Sequence, residues 1–159
     1  MEIEKKYLVN SLPDNLETYP HSRMAQSYIS RNPVIRLRQI GSEAGNRYVL
    51  TVKGEGLTVR EEFELDISEE SYLQLLKKAE GIVIEKTRYY IPLPGGHMAE
   101  LDVFEGKLEG LKLVEVEFES EAMMQQFIAP VWFGEDVSEN GAYHNSNLSQ
   151  MGGYYGGKE

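Results

Sequence analysis

The stretch "MEIEKKYLVN" (residues 1–10) decides how the chain is read. Extended backbone sends alternate side chains to opposite faces. Glu2, Glu4, Lys6 and Leu8 therefore share one face, and Ile3, Lys5, Tyr7 and Val9 the other. Ile3, Tyr7 and Val9 suit a core. The Glu2–Glu4–Lys6 row is then either the wet outer face of a sheet or the inside of a site.

The same alternation recurs along the chain and predicts a mainly β (α+β) protein of about eight strands with two or three helices. After the strand at 2–9, Asp14–Tyr19 reads as a short helix between Pro13 and Pro20. Met24–Ser30 and Val34–Ile40 form a strand pair turned by "RNP", and "GSEAGN" (41–46) is a loop before Arg47–Lys53. "GEGL" leads into a strand over Thr58–Ile67, and Val83–Ile91, His97–Phe104 and Lys112–Glu119 complete the set. A helix follows Ser68, a good N-cap, with Glu69 and Glu70 in its first turn, an apolar stripe of Tyr72, Leu75, Leu76 and Ala79, and Gly81 at the C′ position. A second helix covers Glu121–Ile128. Residues 1–149 read as one domain and 150–159 as a Gly/Tyr-rich tail.

One parity of nearly every strand is charged: Glu2, Glu4, Lys6; Arg36, Arg38; Lys53; Arg60, Glu62, Glu64; Lys86, Arg88; Glu100, Asp102; Glu115, Glu117, Glu119. The opposite parity is largely apolar. An antiparallel sheet with one solvated face shows this alternation. Two features favour something else. The charges are sorted by sign, although like charges on one strand face stand only ~7 Å apart. The apolar parity also needs covering on every strand, which a sheet closed into a barrel with helices outside and a polar lumen would achieve. Both readings stay open on pattern alone.

Lysines and arginines converging from different strands match a multiply anionic ligand such as a phosphate chain. Grouped carboxylates beside them call for a hard divalent cation, Mg²⁺ or Mn²⁺. The net charge of -10 argues against broad nucleic-acid binding and leaves a local basic pocket open. The absence of cysteine excludes a disulfide scaffold and a thiolate site and fits a cytoplasmic protein. No apolar run reaches the length of a membrane span. "GKLEG" lacks P-loop spacing, and His21, His97 and His144 form no close pair of the zinc-enzyme kind, so each reads as structural or solvated. Trp132 reads as a core anchor.

With these residues in place the chain resembles the CYTH superfamily, the triphosphate tunnel metalloenzymes. "EIEKK" matches its Glu-x-Glu-x-Lys signature, and "QSYI", "VIRLRQ", "LTVKG", "REEFE", "EKTRYYI", "ELDVFEG" and "LVEVEFES" follow in family order, with "WFGEDVS" and "YHNSNLS" as closing segments. The resemblance implies a closed eight-stranded antiparallel barrel whose lumen binds triphosphate with divalent metal. It implies Lys6, Tyr28, Arg36, Arg38, Lys53, Arg60, Lys86 and Arg88 as substrate ligands, with Lys6, Arg38 and Lys53 carrying catalysis. Glu2, Glu4 and Glu117 would hold the metal on the phosphates; Glu62, Glu64, Asp102 and Glu115 would serve a second metal or its surroundings. The family spans inorganic, thiamine and RNA triphosphatases and adenylyl cyclases. A chain that starts at its signature strand, with no earlier residues to build a nucleoside-holding mouth, is expected to hydrolyse inorganic tripolyphosphate. A weaker nucleoside triphosphatase activity would accompany it. Its expected partner is a small-molecule triphosphate, with neither membrane nor DNA. An adenylyl cyclase, a thiamine triphosphatase and a non-catalytic polyphosphate binder are the alternatives, and the oligomeric state is open.

Overall fold

Alternation builds the sheet it predicts. The computed structural model describes residues 1–150, so the expected tail lies outside the described residues except for Gln150. The strands are β1 (Glu2–Val9), β2 (His21–Arg31), β3 (Val34–Ser42), β4 (Gly45–Lys53), β5 (Val59–Arg60), β6 (Glu62–Ile67), β7 (Glu80–Pro92), β8 (Met98–Glu105), β9 (Lys112–Glu117) and β10 (Phe133–Asp136). The helices are α1 (Glu69–Leu76), α2 (Glu121–Gln126) and α3 (Asn145–Leu148). All ladders are antiparallel, in the order β10-β1-β9-β8-β7-β2-β3-β4-β6, with β5 on β1.

The expected continuous strand 58–67 is two strands. The chain bends at Glu61 because it changes neighbours there: Val59 and Arg60 pair with Ile3 and Glu2, whereas Glu62 onward pairs with β4 from Lys53. Counted as one bent stave, β5–β6 closes the ring between β4 and the start of β1. β10 takes the free side of β1 beyond that closure, at Tyr7 and Val9. This four-residue strand escaped the sequence reading because Gly134 and two acids leave no run of alternation. The loop expected at 41–46 narrows to Glu43 and Ala44, since β3 and β4 continue pairing as far as Ser42 and Gly45. The expected helix at 14–19 shortens to a 3-10 turn, Leu16–Thr18.

The charged parity faces inward. Lys6, Arg36, Arg38, Lys53 and Arg88 are all buried, although charged. Outside, the apolar parity of β1, β7, β8 and β9 packs as Tyr7, Ile91, Leu101, Val114 and Val116 beneath Phe133, Phe127 and Trp132. Trp132 stands edge-on to Phe133 at 4.6 Å between ring centres, the anchoring role expected of it. α1 lays Tyr72 on Tyr48, ring centres 4.9 Å apart, and Ser68 caps it by accepting from the Ser71 N–H. Covering is incomplete on β6: Phe63 and Leu65 remain exposed, as does Leu73 on α1.

The lumen is not polar along its whole length. Toward one end the inward parity turns apolar as Tyr28, Ile84, Phe104 and Leu113, which pack with Leu108, Val137 and Leu148 into a second core. The chain after β10 supplies this floor, and Gly81 anchors it. Gly81 is not the C′ residue of α1, which ends at Leu76; it lies in β7 with φ +73. The Ile82 N–H donates to the Ser149 carbonyl at 2.7 Å. A Cβ on Gly81 would overlap that same carbonyl oxygen. Gly81→Ala therefore combines a disfavoured φ with a backbone clash. It should lower unfolding free energy by about 2 kcal/mol or more, measurable by urea denaturation.

Candidate active site

The inward side chains meet in a cavity of about 270 Å³. Arg36 and Arg38 enter from β3, Lys53 from β4, Arg60 from β5, Arg88 from β7 and Lys6 from β1. Tyr28 lies beside Arg36 on the neighbouring strand. Facing them are Glu2 and Glu4 from β1, Glu62 and Glu64 from β6, and Glu115 and Glu117 from β9. The cavity thus gathers the residues that the resemblance singled out, except Lys86 and Asp102.

Those two sit outside the lining. Lys86 is 0% and Asp102 1% exposed, and Lys86 Nζ donates to Asp102 Oδ2 at 2.7 Å. The same carboxylate receives Arg88 in fork geometry, Nε at 2.8 Å and Nη2 at 2.9 Å. Burial alone would raise the Asp102 pKa; Arg88 and Lys86 outweigh it and hold the carboxyl below its ordinary value. Asp102 is thereby tied to two cations, with both carboxylate oxygens engaged. Its place is beneath the site, fixing Arg88.

The remaining pairs form a graded network. Arg88 also donates to Glu100 at 3.2 Å and Glu115 at 3.0 Å. Lys6 Nζ lies 3.3 Å from Glu115 and donates to the Tyr143 carbonyl at 2.9 Å. Glu115 is buried, yet Lys6 and Arg88 overcome that burial and keep it well below the usual carboxylate range. Glu2 accepts from Lys53 at 3.2 Å and Arg60 at 3.3 Å, and Glu62 lies 3.6 Å from Lys53. Arg36 donates to Thr51 Oγ1 at 3.1 Å and has Glu64 at 3.6 Å; its buried Nε has no partner among the described residues.

Glu4 stands apart. Its carboxylate has no hydrogen bond or ion pair among the described residues, and burial, then Glu115 and Glu2, push its pKa up to about 8. Its cross-strand neighbour is Glu117, whose pKa is also raised, by burial and by Glu2 and Glu100. Carboxylates lacking counter-ions beside one another are the donor chemistry of a hard divalent cation. Among the described residues no three acidic or histidine side chains converge tightly enough to hold an ion as they stand. Glu2, Glu62 and Glu115 instead lean on cations of the wall. The donor set fits a metal in kind, and a multiply anionic ligand that drew those cations away would release it.

Sequence reading missed part of the lining. Arg47 and Tyr90 reach the cavity, and His144, Asn145 and Ser146 close one side of it. Of the three histidines only His144 is buried here; burial, then Lys6 and Arg60, drive its pKa down to about 4, so its ring is neutral. His21 is exposed against Tyr89, and His97 packs edge-on to Phe118 and Phe127, as expected of structural or solvated residues. "YHNSNLS" carries no periodic signal that would put His144 on a barrel floor. Lys5 pairs outside with Asp136, and Glu61 and Glu119 are exposed. No helix among the described residues is long and apolar enough to cross a membrane.

A barrel with inward-sorted charge is the architecture of the triphosphate tunnel proteins, and similarity searches point the same way. No family model matches the chain. It is 44% identical over 152 residues to an inorganic triphosphatase of Nitrosomonas europaea, covering 93% of this chain and 96% of that one. It is 32% identical over 150 residues to an inorganic triphosphatase of Acetivibrio thermocellus, covering 92% of each. A crystal structure of an inorganic triphosphatase superposes with a TM-score of 0.69 at 40% identity, covering 95% of both chains. A Pyrococcus horikoshii protein, 22% identical with a TM-score of 0.57 over 79% of this chain and 83% of its own, shares the fold alone. The chain belongs to the inorganic triphosphatase family of the CYTH, or triphosphate tunnel, superfamily.

The buried Asp102 network yields a stability prediction. Asp102→Ala leaves Lys86 and Arg88 buried without their shared counter-ion. It should cost about 3 kcal/mol or more, read as a lower midpoint in guanidinium denaturation.

Proposed function

We propose that the chain hydrolyses inorganic tripolyphosphate to pyrophosphate and phosphate, with a divalent cation, Mg²⁺ or Mn²⁺, as cofactor. The observation that supports this most is the cavity wall: Lys6, Arg36, Arg38, Lys53, Arg60 and Arg88 converge on about 270 Å³. That is a space for a compact polyanion rather than an extended one. The family of the chain points to the same substrate.

In this reading Arg36, Arg38 and Lys53 bind the phosphate oxygens, and Lys6 adds charge from the opposite strand. Tyr28 is buried beside Arg36, and burial raises its pKa, so it remains a protonated hydrogen-bond donor. Arg88, held by Asp102, Glu100 and Glu115, engages most of its donors inside the wall and serves as the rigid base on which the other cations stand. Glu2, Glu4 and Glu117 would hold the cation, with Glu62, Glu64 and Glu115 near it. When bound, that cation supplies charge neutralisation at the phosphate oxygens and acidifies water.

Attack of water on a terminal phosphorus forms one P–O bond and breaks the bridging one, releasing phosphate and pyrophosphate. Negative charge accumulates on the equatorial and leaving oxygens during that step. The fixed guanidiniums face those oxygens without reorganising, so their contribution falls on the transition state.

Phosphorus NMR with tripolyphosphate and with ATP, plus and minus Mg²⁺ or Mn²⁺, tests the proposal. Phosphate with pyrophosphate from tripolyphosphate is the expected result. Cyclic AMP with pyrophosphate from ATP would instead establish a cyclase, and binding without turnover a polyphosphate binder. Lys6→Ala should lower kcat/KM about 10²-fold while leaving the fold intact; undiminished turnover would remove Lys6 from the site. Divalent metal should raise Tm, by about 2.7 kcal/mol of stabilisation at ~100 times its Kd. Glu4→Gln should abolish most of that gain in differential scanning fluorimetry.

A further inference from the structure

Arg38 differs from every other cation of the cavity in what holds it. Lys6, Arg36, Arg47, Lys53, Arg60 and Arg88 each have a carboxylate within 4.0 Å, whereas Arg38 has none among the described residues. Its partner is neutral: Arg38 Nε donates to Gln26 Oε1 at 2.9 Å. Gln26 stands directly across from Arg38 in the β2–β3 ladder and is 0% exposed. It does not line the cavity; Arg38 does.

The chemistry of the partners settles which way the amide points. A guanidinium only donates, so the atom facing Nε is the carbonyl oxygen, and the amide nitrogen faces the other way. There it donates to Tyr28 Oη at 3.2 Å. One buried amide therefore engages two residues of the wall at once. Binding Arg38 through Nε leaves both terminal nitrogens of the guanidinium for the cavity. Donating to Tyr28 Oη occupies an acceptor position of that hydroxyl and leaves its proton to be given elsewhere.

We propose that Gln26 is a positioning residue. It aims the Arg38 guanidinium and the Tyr28 hydroxyl at the phosphate chain, and it leaves the Arg38 charge uncompensated because it is neutral. The proposal rests on the reading of the cavity as a tripolyphosphate site. A carboxylate at this place would hold Arg38 as firmly, as Asp102 holds Arg88, and would spend its charge inside the wall. An apolar residue would leave the charge intact and the guanidinium unaimed.

Two substitutions separate these functions. Gln26→Glu keeps the size and an acceptor for Nε; Gln26→Leu removes the acceptor. Thermal melts, KM and kcat for tripolyphosphate, and tripolyphosphate Kd by calorimetry in chelator are compared with wild type. Gln26→Glu should retain or raise Tm while weakening KM and Kd about tenfold or more. Gln26→Leu should lower Tm and kcat, with a smaller loss in Kd. A residue that merely fills and ties the wall predicts the reverse order, with Gln26→Glu near wild type, and that order would overturn the proposal.

A double-mutant cycle covers the case in which Gln26→Glu does not fold. In an Arg38→Ala background Gln26→Leu should cost less binding than in the wild-type background, only the share that passes through Tyr28, and full additivity of the two losses would likewise refute the role. If wild type binds tripolyphosphate without hydrolysing it and the variants keep the expected order, the hydrolase reading fails and the positioning role stands. If wild type neither binds nor hydrolyses it, both fall.

Discussion

The structure depends on charge enclosed within a barrel. A closed sheet that turns its charged parity inward must partner most of those charges, because an unpaired buried ion costs several kcal/mol. Arg88 is the clearest solution. It crosses to Asp102 in fork geometry, touches Glu100 and Glu115, and through Asp102 shares a counter-ion with Lys86. These contacts join β7, β8 and β9 from the inside as their ladders join them from the edge. Lys6 with Glu115, and Lys53 and Arg60 with Glu2, extend the network to β1 and the closing stave. Register and electrostatics are therefore one constraint: slipping a strand by one residue would put this parity outside and the apolar parity in the lumen.

Much of this was legible because alternation is a strong signal and sorted charge a second one. The row Glu2–Glu4–Lys6 lies inward, and the cavity collects nearly all of the singled-out residues. What stayed hidden depends on neighbours that no single strand names. Lys86 and Arg88 share a parity, yet Lys86 falls one step closer to the apolar floor, opposite Phe104, and is sealed there with Asp102. Gln26 belongs to the charged parity but is neutral, so a search for charge passed over it. Gly81 suits a helix C-cap locally, and its positive φ in fact serves a contact with Ser149 that is remote in sequence. The bend at Glu61 follows from ring closure, which has no local signature.

The lumen divides its charges by the kind of partner they have. Arg88, Lys86 and Asp102 satisfy one another and form a rigid base. Arg36 and Arg38, adjacent along the inner face of β3, rely chiefly on neutral oxygens, Thr51 Oγ1 and Gln26 Oε1, with Glu64 only at 3.6 Å from Arg36. Burial and mutual repulsion with Arg36 and Arg88 depress the Arg38 pKa, the sign of positive potential left unspent. On the other side Glu4 and Glu117 carry the opposite surplus, both shifted upward. A cation and a polyanion bound together would relieve both surpluses; either alone would relieve one.

The net charge of -10 appears at odds with a polyanionic ligand, but the two act over different distances. At physiological ionic strength the field of surface carboxylates decays over about 8 Å. A ligand in solution therefore meets a largely screened molecule, whatever its total charge. Inside the cavity little screening solvent separates it from Arg36 and Arg38, and interactions there strengthen as water is displaced. Neutral hydrogen-bond partners matter most at this point, because they orient a guanidinium without cancelling the field it contributes. An acidic exterior and a basic wall thus coexist in one barrel because the wall's unspent charges face a space the exterior cannot reach.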